Sequence, residues 1–260
     1  HLSAIESRVP FLHFFDGFRT SHEISKVELM PYEALAPLVN YEALEAFRAH
    51  ALNPEHPLLR STVQNPDIYF QVREANNGFY DALPDIVEDY MDKIYALTGR
   101  RYHLFDYYGA PDATDVVIAM GSVTGAIEQA VDALRREGRR VGFLQVHLYR
   151  PFDISRFIAA IPETCKAIAV LDRTKEMGST GDPLYLDVCA ALRGRADLKV
   201  VGGRYGLSSK DTTPAQIAAV YANLAKDEPL NSFTIGIVDD VTHLSLPEEG
   251  PLYFGGGGVV

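Results

Sequence analysis

Cysteine is scarce in this chain: among 260 residues there are two, Cys165 and Cys189. Two thiols exclude a disulfide-built scaffold, cannot supply the four thiolates of an iron–sulfur cluster, and fit a reducing, cytoplasmic compartment. Both sit beside apolar stretches and are expected to be inert core thiols. Long apolar runs are missing too: no stretch approaches the ~18 consecutive apolar residues of a membrane span. The start of the chain has neither Met nor a basic segment followed by an apolar one, so no secretory leader is expected. It resembles a piece of something longer, or a processed product. Positive charge is in deficit: Lys+Arg is 24 against 35 Asp+Glu, a net charge of −11. That balance repels phosphates and anionic lipids, so neither nucleic acid nor membrane is an expected partner. The nearest thing to a basic patch is Arg135, Arg136, Arg139 and Arg140, at the end of an expected helix where cations suit the dipole. GxxxxGK[ST], HExxH and GxGxxG are all absent. Chemistry must therefore come from loops at strand ends or from parts of a longer protein.

What is present is ordinary globular material, 47% hydrophobic and 23% charged. Val9–Phe15 is apolar without alternation, which predicts a strand buried on both faces, with His13 a satisfied core residue. Helical pieces follow from Tyr32 to His50, broken at Pro37. Residues 51–67, rich in Asn and Pro, predict a linker, with Asn65-Pro66 opening a helix at Asp67. Apolar residues spaced three and four apart predict a helix over 81–98, stopped by Gly99. From residue 115 strands and helices alternate. Strands are expected at 115–120, 140–147, 167–171, 199–201 and 233–238, with helices at 123–137, 154–161, 182–193 and 214–225. Thr213 and Pro214 form the N-cap and first turn of the last helix. Alternation of this kind predicts a doubly wound parallel sheet over about 100–229.

Ligands of such sheets bind beyond the carboxyl ends of the strands, and four segments are candidates. Asp16–Glu23 follows the aromatic run and offers Arg19 for an anion and His22 for proton transfer. The competing reading is a polar turn in which Arg19 pairs with Glu23 and Ser21 caps a helix. Gly121-Ser122 opens a helix and aims backbone N–H groups at an anion, although a simple Ser122 cap is the stronger expectation. Asp239, Asp240 and His243 form a weak metal set, because adjacent acids on an extended chain point apart, and a polar strand-end loop is the stronger expectation. Gly202–Gly206 with Ser208–Asp211 predicts a loop whose glycines permit close backbone approach; it either binds an anion or packs on a neighbour.

Seven long segments carry a resemblance. They are FFDGFRTSHE (14–23), NPDIYF (65–70), YHLFDYYGAP (102–111), HLYRPF (147–152), VLDRTKE (170–176), GGRYGLSSKDTTPAQ (202–216) and TIGIVDDVT (234–242). Together, and in this order, they resemble the pyruvate:ferredoxin (flavodoxin) oxidoreductases over about residues 7–246. The resemblance implies an α/β fold: a three-layer, parallel-sheet domain similar to the transketolase C-terminal domain, preceded by the tail of a thiamine-binding α/β domain. Residues 1–60 would close the pyrimidine-binding domain, 61–229 would form the second domain, and 230–260 would begin the coenzyme A domain. Val241, Thr242, His243, Leu244 and Ser245 would touch coenzyme A, while Arg19 and His22 would line the active site. Beyond Leu246 the chain departs from the family.

The whole enzyme would use thiamine diphosphate, Mg and iron–sulfur clusters, pass electrons to ferredoxin or flavodoxin, and act as a homodimer. The pyruvate-contacting Thr and Arg and the Glu that activates the thiamine ring are implied to precede His1. The cluster cysteines and the diphosphate-binding domain are implied to follow Val260. This chain alone would then be an inactive scaffold without catalytic residues or bound cofactor, exposing apolar surface where other domains dock. Two other readings stand beside it: a non-catalytic α/β binding or assembly module, and a transketolase-like thiamine enzyme acting on sugars.

Overall fold

The computed structural model describes residues 1–24, 26–57 and 63–248. The glycine-rich tail at 255–258 lies outside the described residues, as do the proposed boundary at residues 60 and 61 and part of the 51–67 linker. The chain folds as two compact units, one of 1–14 with 25–104 and one of 15–24 with 105–260.

The first unit is helical. Its elements are α1 (Leu2–Ser7), α3 (Tyr32–Leu35), α4 (Tyr41–Ala49), α5 (Tyr69–Ala75), α6 (Asn77–Asp81) and α7 (Leu83–Thr98). The short α2 (Arg19–His22) belongs to the second unit. The expected 81–98 helix is α7: Leu83, Val87 and Tyr90 are buried along one face, and Gly99 ends it at φ 70°, its N–H donating to the Tyr95 carbonyl at 2.8 Å. Tyr90 donates to the Glu6 carboxylate at 2.6 Å, fixing α1 on α7. The helix expected at Asp67 begins two residues later, because Asn65–Ile68 closes as a turn whose Asn65 carbonyl accepts from both Ile68 and Tyr69.

Val9–Phe15 is not a strand. Val9 is buried, but His13 is exposed and Leu12, Phe14 and Phe15 are 85%, 60% and 66% exposed. An apolar run becomes a buried strand only where neighbouring strands satisfy its backbone, and no strand among the described residues pairs with this one. Exposed apolar side chains concentrate in this region, with Phe70, Phe79 and Tyr80 also in the open.

The second unit is the expected α/β sheet. Its strands are β1 (Phe105–Gly109), β2 (Asp115–Ala119), β3 (Val141–Val146), β4 (Ala167–Asp172), β5 (Lys199–Arg204) and β6 (Phe233–Thr234). They lie in the order β1-β3-β2-β4-β5-β6. All neighbours are parallel except β1, which pairs antiparallel with β3, Phe105 opposite Val146. The strand β1 is absent from the sequence reading: as an edge strand, its Asp and Tyr residues are only partly covered and leave no continuous apolar run. The 233–238 strand shrinks to two residues, since Gly236 takes φ 81° and turns the chain away. Gly202–Arg204 is part of β5 rather than a loop, and its glycines serve close approach instead. A Cβ on Gly203 would lie 2.1 Å from the Phe233 ring, and one on Gly202 would lie 2.9 Å from that of Tyr185.

Helices α8 (Thr124–Arg136) and α11 (Pro214–Leu224) cover one face. There Ile127, Val131, Ile217 and Tyr221 pack on Val117, Phe143 and Ala169. Helices α9 (Ile154–Ala159) and α10 (Pro183–Ala191) follow β3 and β4. Phe157 of α9 meets Phe105 edge-on, ring centroids 5.5 Å apart, and Leu184 and Val188 of α10 are fully buried. Thr213 and Gln216 form a reciprocal capping box at the start of α11, with Pro214 in its first turn. Arg135 and Arg136 do end α8.

Candidate functional site

Strand β2 has β3 on one side and β4 on the other. The chain leaves β2 into α8 and leaves β4 into α10. Their carboxyl ends therefore bracket a topological switch point, the place where doubly wound sheets bind ligands. At this point Gly121-Ser122 follows β2, Arg173 follows β4, and Tyr205–Ser209 follows β5. The side chain held among them is Asp16. Its Oδ2 accepts the Ser122 N–H at 2.6 Å and pairs with Arg173 Nη1 at 3.0 Å. Arg173 is fixed in turn: Nη1 donates to Ser122 Oγ at 3.1 Å, Nε to the Gly206 carbonyl at 2.9 Å, and Nη2 to Ser209 Oγ at 3.3 Å. Tyr205, buried beside them, donates to the Met120 carbonyl at 3.1 Å. Burial alone raises the pKa of Asp16, but the hydrogen bonds from Ser122 and Arg173 and the guanidinium charge more than offset this. The carboxyl is held below its ordinary value and stays ionised.

This arrangement bears on two of the expected loops. Ser122 does not cap α8; its N–H does meet an anion, and that anion is a side chain of the same chain. The Gly206–Ser209 segment holds a cation of the same chain, Arg173. Sequence reasoning missed the Asp16–Arg173 pair. The available signal was two opposite charges, each following an apolar run, but nothing local joins them.

Of the residues singled out in Asp16–Glu23, His22 is exposed at the end of α2. Its Nδ1 lies 2.5 Å from the Phe18 carbonyl, which also accepts from Ser21 Oγ at 2.7 Å. Ser21 thus closes its own turn instead of capping the next helix. Phe18 takes φ 52°, a left-handed value costly for a side chain of this size. The side-chain contact expected of Arg19 lies outside the described residues.

The 241–245 segment is a turn built around Asp240. One carboxylate oxygen accepts from the Thr242 N–H at 2.9 Å and from Thr242 Oγ1 at 2.7 Å; the other accepts the Ser245 N–H at 2.6 Å. These bonds, the Ser245 backbone contact foremost, hold the Asp240 carboxyl at about 2. His243 has φ 58°, and the Leu244 carbonyl accepts the Thr234 N–H at 2.9 Å, pinning the turn to β6. Val238 and Val241 are 96% and 90% exposed. No hydrogen bond or ion pair joins His22 to this turn among the described residues. Nor do the described residues hold any cluster of three His, Cys, Asp or Glu placed for a metal. Burial raises the Cys165 thiol to about 12 and also lifts that of Cys189, as inert thiols require.

Residues 1–92 match the family model described as pyruvate flavodoxin/ferredoxin oxidoreductase, thiamine diphosphate-binding. Residues 113–217 match pyruvate:ferredoxin oxidoreductase core domain II. The chain is 58% identical over 248 residues to the pyruvate-flavodoxin oxidoreductase of Klebsiella pneumoniae, covering 95% of this chain and 21% of that protein. It is 55% identical over 247 residues to the pyruvate:ferredoxin oxidoreductase of Moorella thermoacetica, again covering 95% and 21%. It is 48% identical over 250 residues to the mitochondrial pyruvate dehydrogenase [NADP(+)] of Euglena gracilis, covering 95% and 14%. The chain thus spans about a fifth or less of these relatives. With two models of one family matched in chain order across both structural units, the chain belongs to the pyruvate:ferredoxin (flavodoxin) oxidoreductase family.

Proposed function

We propose that this chain forms part of a thiamine diphosphate-dependent enzyme that converts pyruvate and coenzyme A to acetyl-CoA and CO2, releasing an electron pair to an iron–sulfur protein or flavodoxin. The observation that carries this reading is identity of 48–58% to pyruvate oxidoreductases over 95% of the chain. In that scheme residues 1–60 close the thiamine pyrimidine domain, 61–229 form the second domain, and 230–260 begin the coenzyme A domain. The working enzyme is a cytoplasmic homodimer with ferredoxin or flavodoxin as partner.

At the switch point the groups that could meet a diphosphate are already in use. The N–H and guanidinium groups best placed for a phosphate are committed to Asp16, and no metal cluster is present among the described residues. In this reading Mg, the iron–sulfur clusters and the rest of the thiamine diphosphate site come from other parts of the longer protein. The 241–245 turn suits only one portion of coenzyme A. Its backbone donors at Thr242 and Ser245 are taken by Asp240, a carboxylate that repels phosphate, whereas Val241 offers an apolar contact to the pantetheine arm. On the active-site side, His22 and Arg19 supply a proton-transfer group and a cation on the loop anchored by Asp16.

Arg19→Ala and His22→Ala in the longer protein test the assignment of that loop. Either substitution is expected to lower pyruvate-dependent viologen reduction at least ~10-fold, the scale of a lost acid–base or charged contact, while assembly is unchanged. Turnover within twofold of the unsubstituted enzyme for both variants removes the loop from the active site.

A further inference from the structure

The switch-point crevice has the features of a carboxylate receptor. It is built from three strand ends that are distant in sequence: the Ser122 N–H and the Arg173 guanidinium are its donors, and the Gly206 and Ser209 oxygens accept from that guanidinium and hold it in place. Its floor is shaped for the same group. Gly121 takes φ 83°, and a Cβ there would come within 2.8 Å of Asp16 Oδ2, so a side chain at this position would push the carboxylate out. The two partners are mostly covered, with Arg173 and Asp16 side chains 18% and 20% exposed. A charge-assisted pair at this depth is screened far less than a surface pair.

We propose that this crevice is a carboxylate-binding site occupied in cis by Asp16, and that Arg173 is the positioning residue that thereby holds loop 17–23. Where related sheets take a ligand, this chain supplies its own. The loop carries Arg19 and His22 and takes the left-handed conformation at Phe18, which only an over-determined attachment sustains. The consequence for turnover rests on the pyruvate oxidoreductase reading above; the occupancy of the crevice does not.

Hydrogen exchange on the longer protein tests the two separately. Asp16→Ala and Arg173→Gln should each speed exchange of peptides covering 15–24 and 120–124 by at least ~10-fold, with sheet peptides 115–119 and 167–172 unchanged. Arg173→Lys, which keeps the charge but loses the fork, should fall between. Acetate is the probe for the emptied site. It should restore protection of 120–124 in Asp16→Ala saturably, and should do nothing in Arg173→Gln or in the unsubstituted protein. If Asp16→Ala also loosens the sheet, Asp16→Asn decides, since it keeps the volume and removes only the charge; it must still free 15–24. Unchanged exchange in Asp16→Asn and Arg173→Gln, or acetate acting equally on all proteins, overturns the proposal. Free exchange of the loop with full pyruvate turnover leaves the crevice assignment standing and sinks the loop's catalytic role instead.

Discussion

Arg204→Ala should destabilise the second unit by about 3 kcal/mol, at the lower end of what breaking a buried ion pair costs. Arg204 Nη1 pairs with Asp182 at 3.2 Å, and the two side chains are 11% and 8% exposed. Nη2 donates to the Ser232 carbonyl at 2.8 Å, and the other Asp182 oxygen accepts the Glu176 N–H at 2.9 Å. Removing the guanidinium leaves a buried carboxylate without its counter-charge and a carbonyl without its donor, which is worse than never having had either. The double variant Arg204→Met with Asp182→Leu removes both charges and should recover most of the loss. Urea unfolding followed by near-UV signal measures both. A double variant no more stable than Arg204→Ala would show that the pair contributes packing rather than charge compensation.

Phe143→Ala should cost about 3–5 kcal/mol, the range for truncating an aromatic in a tight core. Phe143 is fully buried on β3, directly opposite Tyr108 of β1 and Val117 of β2. It lies in the cluster that α8 and α11 cover, and Tyr221 of α11 donates to the neighbouring Gly142 carbonyl at 2.8 Å. A cavity here is walled by β-sheet on one side and two helices on the other, so little can collapse into it. Phe14→Ala supplies the contrast. Phe14 is 60% exposed and should change stability by less than about 0.5 kcal/mol, although both residues belong to apolar stretches of sequence. Equal losses in the two variants would mean that the exposed aromatic run is packed in the working protein.

These contrasts mark where the sequence was legible. Local signals survived folding: the three-and-four spacing of α7 with its Gly99 stop, the Thr213 cap with Pro214 behind it, and the apolar cores of β2, β3 and β4. Each depends on residues within a turn or two of one another. Misreadings came where partners are distant. An apolar run at 9–15 looks like a strand whether or not a neighbour exists to pair with it. Gly202-Gly203 looks like a loop until the rings of Tyr185 and Phe233 occupy the space beside it. Strand β1 carries Asp and Tyr because, as the edge strand, it leaves Asp106, Tyr107 and Tyr108 partly exposed. The candidate site shows the same limit. The Gly-Ser turn offered an anion receptor only as the weaker reading beside a simple cap, because its anion stands 106 residues earlier, and no spacing rule links Asp16 to Ser122 or to Arg173. Family resemblance covered that gap for the function, since order and length of seven segments are readable without knowing which side chains meet.

Pyruvate- and coenzyme A-dependent reduction of methyl viologen, measured on the longer protein and on the 260-residue chain side by side, tests the central claim most directly. Turnover that requires both substrates is expected in the longer protein, and none in the chain alone. Turnover by the isolated chain, or a longer protein loaded with thiamine diphosphate that ignores pyruvate, would contradict the assignment of this chain as one inactive part of a pyruvate oxidoreductase.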